Sequence, residues 1–251
     1  MNKLSKFAVV CAVVLCGFGA EAAGLPVSGA AFHVDASAAS TLTTELVNGT
    51  NFVTKWSDAS GGSRYASQDK AEFRPWIDYA DGLPFVDFGP GRYVGREPYE
   101  QTGYLKWSST DSSIREIFLV YSDYPEKSGS FILSAQGSYQ FHRAGKKLFN
   151  TTYAEAKLRN GVIEVDGESV DNNTYELPEG FHIIHLRTTG GVTADRFASD
   201  RDQYQLGAQR LREVIVYDST LSDEQAQEIY EYLKVKWWSA PDLLKVAGEP
   251  E

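Results

Sequence analysis

The amino-acid sequence predicts an all-β fold, a sandwich or a barrel, with one amphipathic helix at its C-terminal end. Three observations predict it. Apolar and aromatic runs of strand length recur from Phe32 onward. Gly, Pro, Asn, Asp and Ser separate them at roughly ten-residue intervals, as in chains of many short strands. One late segment breaks this pattern and places its apolar residues at helical spacing.

The strand candidates, in order, are Phe52-Val53-Thr54-Lys55-Trp56, Phe85-Val86-Asp87-Phe88, Glu116-Ile117-Phe118-Leu119-Val120-Tyr121, Ser130-Phe131-Ile132-Leu133, Tyr139-Gln140-Phe141-His142, Phe181-His182-Ile183-Ile184-His185-Leu186 and Glu213-Val214-Ile215-Val216-Tyr217. They are rich in β-branched and aromatic residues, which suit a pleated, half-buried surface. Asp58 before Ser60-Gly61-Gly62 is turn chemistry, because a short carboxylate bonds backbone N–H groups two residues on. Trp56 is a core candidate. Asp87 alternates with Val86 and Phe88, so it points to solvent or to a loop partner.

Ser222 to Trp238 is the helix. Ser222 with Gln225 three residues on makes a capping box. Asp223 and Glu224 lie in the first turn and Lys234 and Lys236 in the last, which suits the helix dipole. Ala226, Ile229, Tyr230, Leu233 and Trp237 form one apolar stripe, expected to pack on the sheet.

The N-terminus has the pattern of an export signal. Lys3 and Lys6 precede an apolar run from Phe7 to Phe18, and Ala20-Glu21-Ala22 is a small-x-small cleavage motif. The expected organisation is a signal peptide over 1–22, a short leader over 23–30, one domain over 30–238 and a tail over 239–251. The apolar run is shorter than the roughly 20 residues needed to span a bilayer, so no membrane span is expected in the mature chain. Both cysteines, Cys11 and Cys16, lie inside the signal. The mature chain must therefore rely on its core alone, without disulfides, thiol chemistry or cysteine metal sites. Removing Lys3, Lys6 and Glu21 with the signal leaves 22 basic and 33 acidic residues, a net charge of −11. That sign argues against nucleic acid as a partner and leaves carboxylates for Ca²⁺.

Several segments together carry a resemblance. Phe32-His33-Val34-Asp35-Ala36-Ser37 opens the series, followed by Ser40-Thr41-Leu42, Val53 through Gly62, Arg74-Pro75 and Gly82 through Gly89. Gln209 through Asp218, Leu221-Ser222-Asp223-Glu224 and Tyr232 through Trp237 complete it. Their order and spacing resemble the laminin-G-like jelly-roll domains of the concanavalin A-like lectin/glucanase superfamily, in the form found in exported bacterial proteins. The resemblance implies a two-sheet antiparallel jelly-roll sandwich. It does not imply one activity, since lectins, adhesion modules and some glycosidases share that fold. The expected function is an exported, non-catalytic module that binds carbohydrate or serves in adhesion, in the periplasm, at the cell surface or outside the cell. The expected partner is a glycan or a cell-surface polysaccharide. The alternatives are a glycoside hydrolase on the same fold and a purely structural envelope domain.

Three groups of residues could carry chemistry. Glu164, Asp166 and Glu168 have the spacing of the Glu-x-Asp-x-(x)-Glu strand of laminarinase-type glycosidases, where period 2 lines up an acid and a nucleophile. Asp166-Gly167 between β-forming runs is also a strong hairpin signal, and a hairpin takes the three carboxylates off one face. The turn is the expected reading, so no catalytic residue is assigned unless the chain is an enzyme. Tyr93, Tyr99, Tyr104 and Trp107 supply flat apolar faces for sugar rings, with a further β-strand as the alternative for the last two. Asp195, Asp200 and Asp202 are candidate Ca²⁺ ligands, with ion pairs to Arg196 and Arg201 as the alternative. His33, His142, His182 and His185 lack the His-Glu-x-x-His spacing of zinc enzymes. No Gly-x-Ser-x-Gly elbow and no phosphate-binding Gly-x-x-x-x-Gly-Lys-Ser/Thr loop occurs.

Overall fold

The structure, a computed structural model, describes residues 24–94, 101–127 and 131–239. The expected signal, the tail beyond Ser239, and Tyr99 lie outside these residues. The strands follow in order: β1 (Phe32–Asp35), β2 (Leu42–Val47), β3 (Thr50–Ser57), β4 (Tyr65–Ser67), β5 (Trp76–Ala80), β6 (Leu83–Asp87), β7 (Arg92–Tyr93), β8 (Leu105–Asp123) and β9 (Leu133–Ser134). A one-turn helix α1 (Ala156–Arg159) precedes β10 (Val162–Val165), β11 (Glu168–Ser169), β12 (His182–Phe197), β13 (Gln205–Leu206) and β14 (Gln209–Tyr217). Helix α2 (Asp223–Lys234) runs on into a π-helical turn over Val235–Ser239.

Among the described residues every strand pairing is antiparallel, and the pairings run in a closed circuit, β14–β6–β5–β3–β4–β8 and back to β14. The molecule is therefore mostly β with a six-stranded ring, whereas two separate sheets were expected. The long strand β8 closes the ring. Its start pairs with β4, Trp107 opposite Ala66, and its second half pairs with β14, Ile117 opposite Val216. Its other edge is covered by β12 along most of its length. β1 extends the ring beside β14, and β10 and β11 continue outward from β12.

Alternation along β8 explains why Ile117 to Tyr121 is an unbroken apolar run. Ile117, Leu119 and Tyr121 point into the main core with Trp56, Val86, Ile184 and Val214. Phe118 and Val120 point the other way, into a second core with Ile183, Ile215 and Tyr217. Helix α2 covers that outer face with Ala226, Ile229 and Leu233, and Trp237 follows from the π turn. Both faces of this part of the sheet are thus dry, so the strands carry no polar alternation. The Ser222–Gln225 capping box forms as expected. Residues of the expected leader take part as well: Val27 is buried in the second core and its carbonyl accepts from the Tyr217 hydroxyl at 2.8 Å.

One sequence expectation is corrected here. The runs Phe131–Leu133 and Tyr139–His142 are not the two strands expected; only the two-residue β9 and an isolated bridge between Phe131 and His142 remain. Turns at Gly137 and Gly145, both with positive φ, break the run. Of the two alternatives for Asp87, solvent or a loop partner, the structure has the partner. Asp87 is buried, accepts from the Gly89 N–H at 2.7 Å and pairs with Arg210 at 2.9 Å. Burial raises its pKa, partly offset by those two partners. Among the described residues, no helix is long and apolar enough to cross a membrane.

Candidate functional site

The chain turns at Asp166-Gly167, both with positive φ (53° and 84°), and Val165 lies opposite Glu168 across the hairpin. Glu164, Asp166 and Glu168 therefore do not line one face. Glu164 accepts from His185 Nδ1 at 2.8 Å. Asp166 sits at the tip against His182 Nδ1 at 2.7 Å and the Ile183 N–H at 2.9 Å. Glu168 is exposed on the return strand.

The aromatic candidates divide. Trp107 is only 4% exposed and packs on Phe32 and Phe197, with centroids at 5.0 and 5.2 Å, so it is core. Tyr104 is 8% exposed; its ring lies 5.9 Å from Phe73 and its hydroxyl donates to Gln203 Oε1 at 2.7 Å. Neither offers a face to a ligand: Trp107 is turned inward by β8, and Tyr104, just before that strand, is covered by Phe73 and Gln203. Tyr93 remains at the surface, edge-on to Tyr204 at 5.4 Å.

The three aspartates do not converge. Asp195 grips Arg196 at 2.5 Å, Asp200 caps the Tyr204 N–H at 2.6 Å, and Asp202 pairs with Arg201 at 3.0 Å. Each carboxylate is committed to a separate structural partner, so the three form no common Ca²⁺ cage. The one described group of His, Asp and Glu donors within 4.8 Å of one another is His33, Asp35 and Glu213. A lysine ammonium already stands among them. Lys236 Nζ lies 2.5 Å from Asp35 Oδ2 and 2.7 Å from Glu213 Oε2. Glu213 also takes bonds from Trp237 Nε1 at 2.7 Å, Tyr232 Oη at 3.1 Å and the His33 ring at 2.8 Å. Burial opposes the charge on both Lys236 and Glu213, but their partners outweigh it, raising the lysine and lowering the glutamate.

A second buried cluster lies on β8, β10 and β12. His185 stands between Glu116, 2.6 Å from Nε2, and Glu164. Burial works against its charge; hydrogen bonds to Glu116 and Glu164 prevail and raise its pKa. Arg187 bonds the other oxygen of Glu116 at 2.6 Å and reaches Asp223 at the start of α2, also at 2.6 Å. This cluster fastens the helix to the sheet.

An exposed aromatic surface is built partly from Tyr139–His142, a strand candidate in the sequence. Tyr139 and Tyr153 are 42% and 59% exposed, and their rings lie 5.8 Å apart at 31°. His142 meets both edge-on, at 5.7 and 5.8 Å. The Arg201 guanidinium rests 4.0 Å from the Tyr139 ring centroid. The backbone beneath is held: Asn150 Oδ1 accepts from the Thr152 and Tyr153 N–H groups at 2.8 and 2.9 Å, and Gln140 Oε1 accepts from Thr193 N–H at 2.5 Å. Phe131, 4.9 Å from His142, links this platform to a cleft of about 310 Å³ that is also lined by Arg92, Tyr93, Lys127 and Gln205. Tyr93 is thus the one aromatic sequence candidate among the described residues that borders the site. Sequence alone missed Tyr139 and Tyr153, although Gly137-Ser138 before Tyr139 and Asn150 before Tyr153 were turn signals.

Comparison with known proteins yielded no match to a family model, to a curated protein or to a solved structure.

Proposed function

We propose that this chain is an exported, non-catalytic module of the laminin-G-like jelly-roll type that binds carbohydrate on a cell surface or in a polysaccharide. The observation that carries the reading is the exposed Tyr139–Tyr153 pair, held by His142, Arg201 and Asn150. Fixed aromatic faces lose little entropy on binding, and their polar rims suit the C–H faces and hydroxyls of pyranose rings. The adjoining cleft gives a chain of sugars somewhere to continue. The committed state of Glu164 and the hairpin tip at Asp166-Gly167 speak for binding over hydrolysis.

The test is a glycan array followed by titration calorimetry on wild type, Tyr139→Ala and Tyr153→Ala. Saccharide binding that both substitutions weaken supports the reading. Binding that neither affects removes the platform. An empty array would leave the structural envelope domain as the better account. Turnover of a β-glucan, lost in Glu164→Gln, would replace binding with hydrolysis.

A further inference from the structure

The cluster that joins the first strand to the end of the chain has more than the parts of an ion pair. Lys236 Nζ faces Asp35 Oδ2 at 2.5 Å. Asp35 Oδ1, the other oxygen, accepts from the Ser37 N–H at 2.8 Å and from the Ser37 hydroxyl at 2.7 Å. Two donors on one carboxylate oxygen, with an amine on the opposite side, is the arrangement that stabilises addition to a carboxyl carbon. Glu213 Oε2 lies 2.7 Å from the same nitrogen, placed to carry protons. Its remaining bonds to Trp237, Tyr232 and His33 fix its orientation. Asp35 and Glu213 are fully buried, so bulk water does not compete for either.

We propose that Lys236 and Asp35 condense to an intramolecular amide, with Glu213 as the proton carrier. The ammonium gives a proton to Glu213, and the freed amine attacks Cγ of Asp35. The developing oxyanion on Oδ1 is held by Ser37. Glu213 passes its proton to Oδ2, takes a second proton from the nitrogen and delivers that also. Oδ2 then leaves as water. One C–N bond forms and one C–O bond breaks. Carboxylate plus ammonium become amide plus one water, Glu213 ends as it began, and no oxidant or co-reactant is needed. A cavity of about 230 Å³ bordered by His33, Ala59 and Ser60 has room for the released water.

Two physical terms drive the step. Holding amine and carboxyl in contact replaces a bimolecular encounter with an intramolecular one, an advantage equivalent to very high local concentration. The product also removes two buried charges whose desolvation the ion pair must otherwise offset. Glu213 and Asp35 favour the charged form of Lys236, so the initial proton transfer is uphill and the reaction is a slow, single maturation event. The link would span 201 positions of sequence, in a chain with no cysteine beyond Cys16. The inference does not depend on the carbohydrate reading.

Intact mass spectrometry of the purified protein, with its N-terminus read from the same sample, tests the proposal. The expected mass is one water below that of the sequence, and a tryptic digest should contain one branched peptide joining Asp35 to Lys236. K236R, which keeps the cation but cannot form the link, and E213Q should both show full mass. Wild type at full mass, or recovery of the Asp35 and Lys236 peptides unlinked, overturns the proposal. An E213Q protein that is still one water light overturns the role given to Glu213. If the variants fail to fold, the wild-type mass and digest decide alone.

Discussion

The imidazole of His185 lies parallel to the ring of Phe118, 4.3 Å away, with Glu116 at one nitrogen and Glu164 at the other. Two carboxylates leave each ring nitrogen with an acceptor, so the ring is held as imidazolium. Its pKa is raised in the fold, and the associated stability is therefore fully present below the ordinary histidine value of 6.5 and lost as pH rises through the raised value. His185→Gln should lose about 3 kcal/mol near pH 5, since Glu116 keeps only Arg187 as a charged partner. The gap between variant and wild type should narrow as pH rises. Urea unfolding across a pH series checks this; a gap independent of pH would refute it.

Trp107→Ala and Tyr153→Ala separate core from platform. Emptying the Trp107 site, between Phe32 and Phe197, should cost about 3–5 kcal/mol of stability. Tyr153→Ala should change stability by less than about 0.5 kcal/mol and weaken glycan binding about tenfold. Denaturation and calorimetry on the same preparations give both numbers.

Gly167 should tolerate alanine less well than Gly137. Both have positive φ, but a Cβ on Gly167 would come within 2.9 Å of Tyr230 Cζ, whereas one on Gly137 meets nothing within 4 Å. Gly137→Ala should cost about 1 kcal/mol from backbone strain alone, and Gly167→Ala roughly twice that. The larger loss should come with weaker docking of α2, because the Tyr230 hydroxyl bonds the Asp166 carbonyl. Hydrogen exchange in α2 reads this second effect.

Ser222→Ala removes the hydroxyl that caps the Gln225 N–H at 3.2 Å. A loss of about 1 kcal/mol is expected. Ser222→Asp should recover most of it, as measured by thermal unfolding.

What the sequence revealed was local chemistry. Ser222 and Gln225 are three residues apart, Asp166 and Gly167 adjacent, and the stripe from Ala226 to Trp237 sits on one helix, so each could be read without knowing the fold. Exposure is not local. Tyr104, Trp107, Tyr139 and Tyr153 are similar residues in similar company, and only the packing of distant strands decides which two face outward. Phe131 and Tyr139 carry strand propensity, yet the strand is interrupted because glycine turns override that weak preference. The ring closure and the Asp35–Lys236 contact depend on partners far apart in sequence, where spacing carries no signal. The histidines read as ordinary strand residues for the same reason: Glu116 and Glu213 come to them from other strands.

Among the described residues, the only strand that pairs with β1 is β14, and the side chain that neutralises Asp35 comes from beyond α2. Contacts from earlier in the chain, the Trp56 indole on the Asp35 carbonyl and the Asp58 carboxylate on the His33 N–H, touch β1 without giving it a strand partner. Completing the sheet around β1 therefore requires the last strand, and a high proportion of such distant pairings makes folding slow.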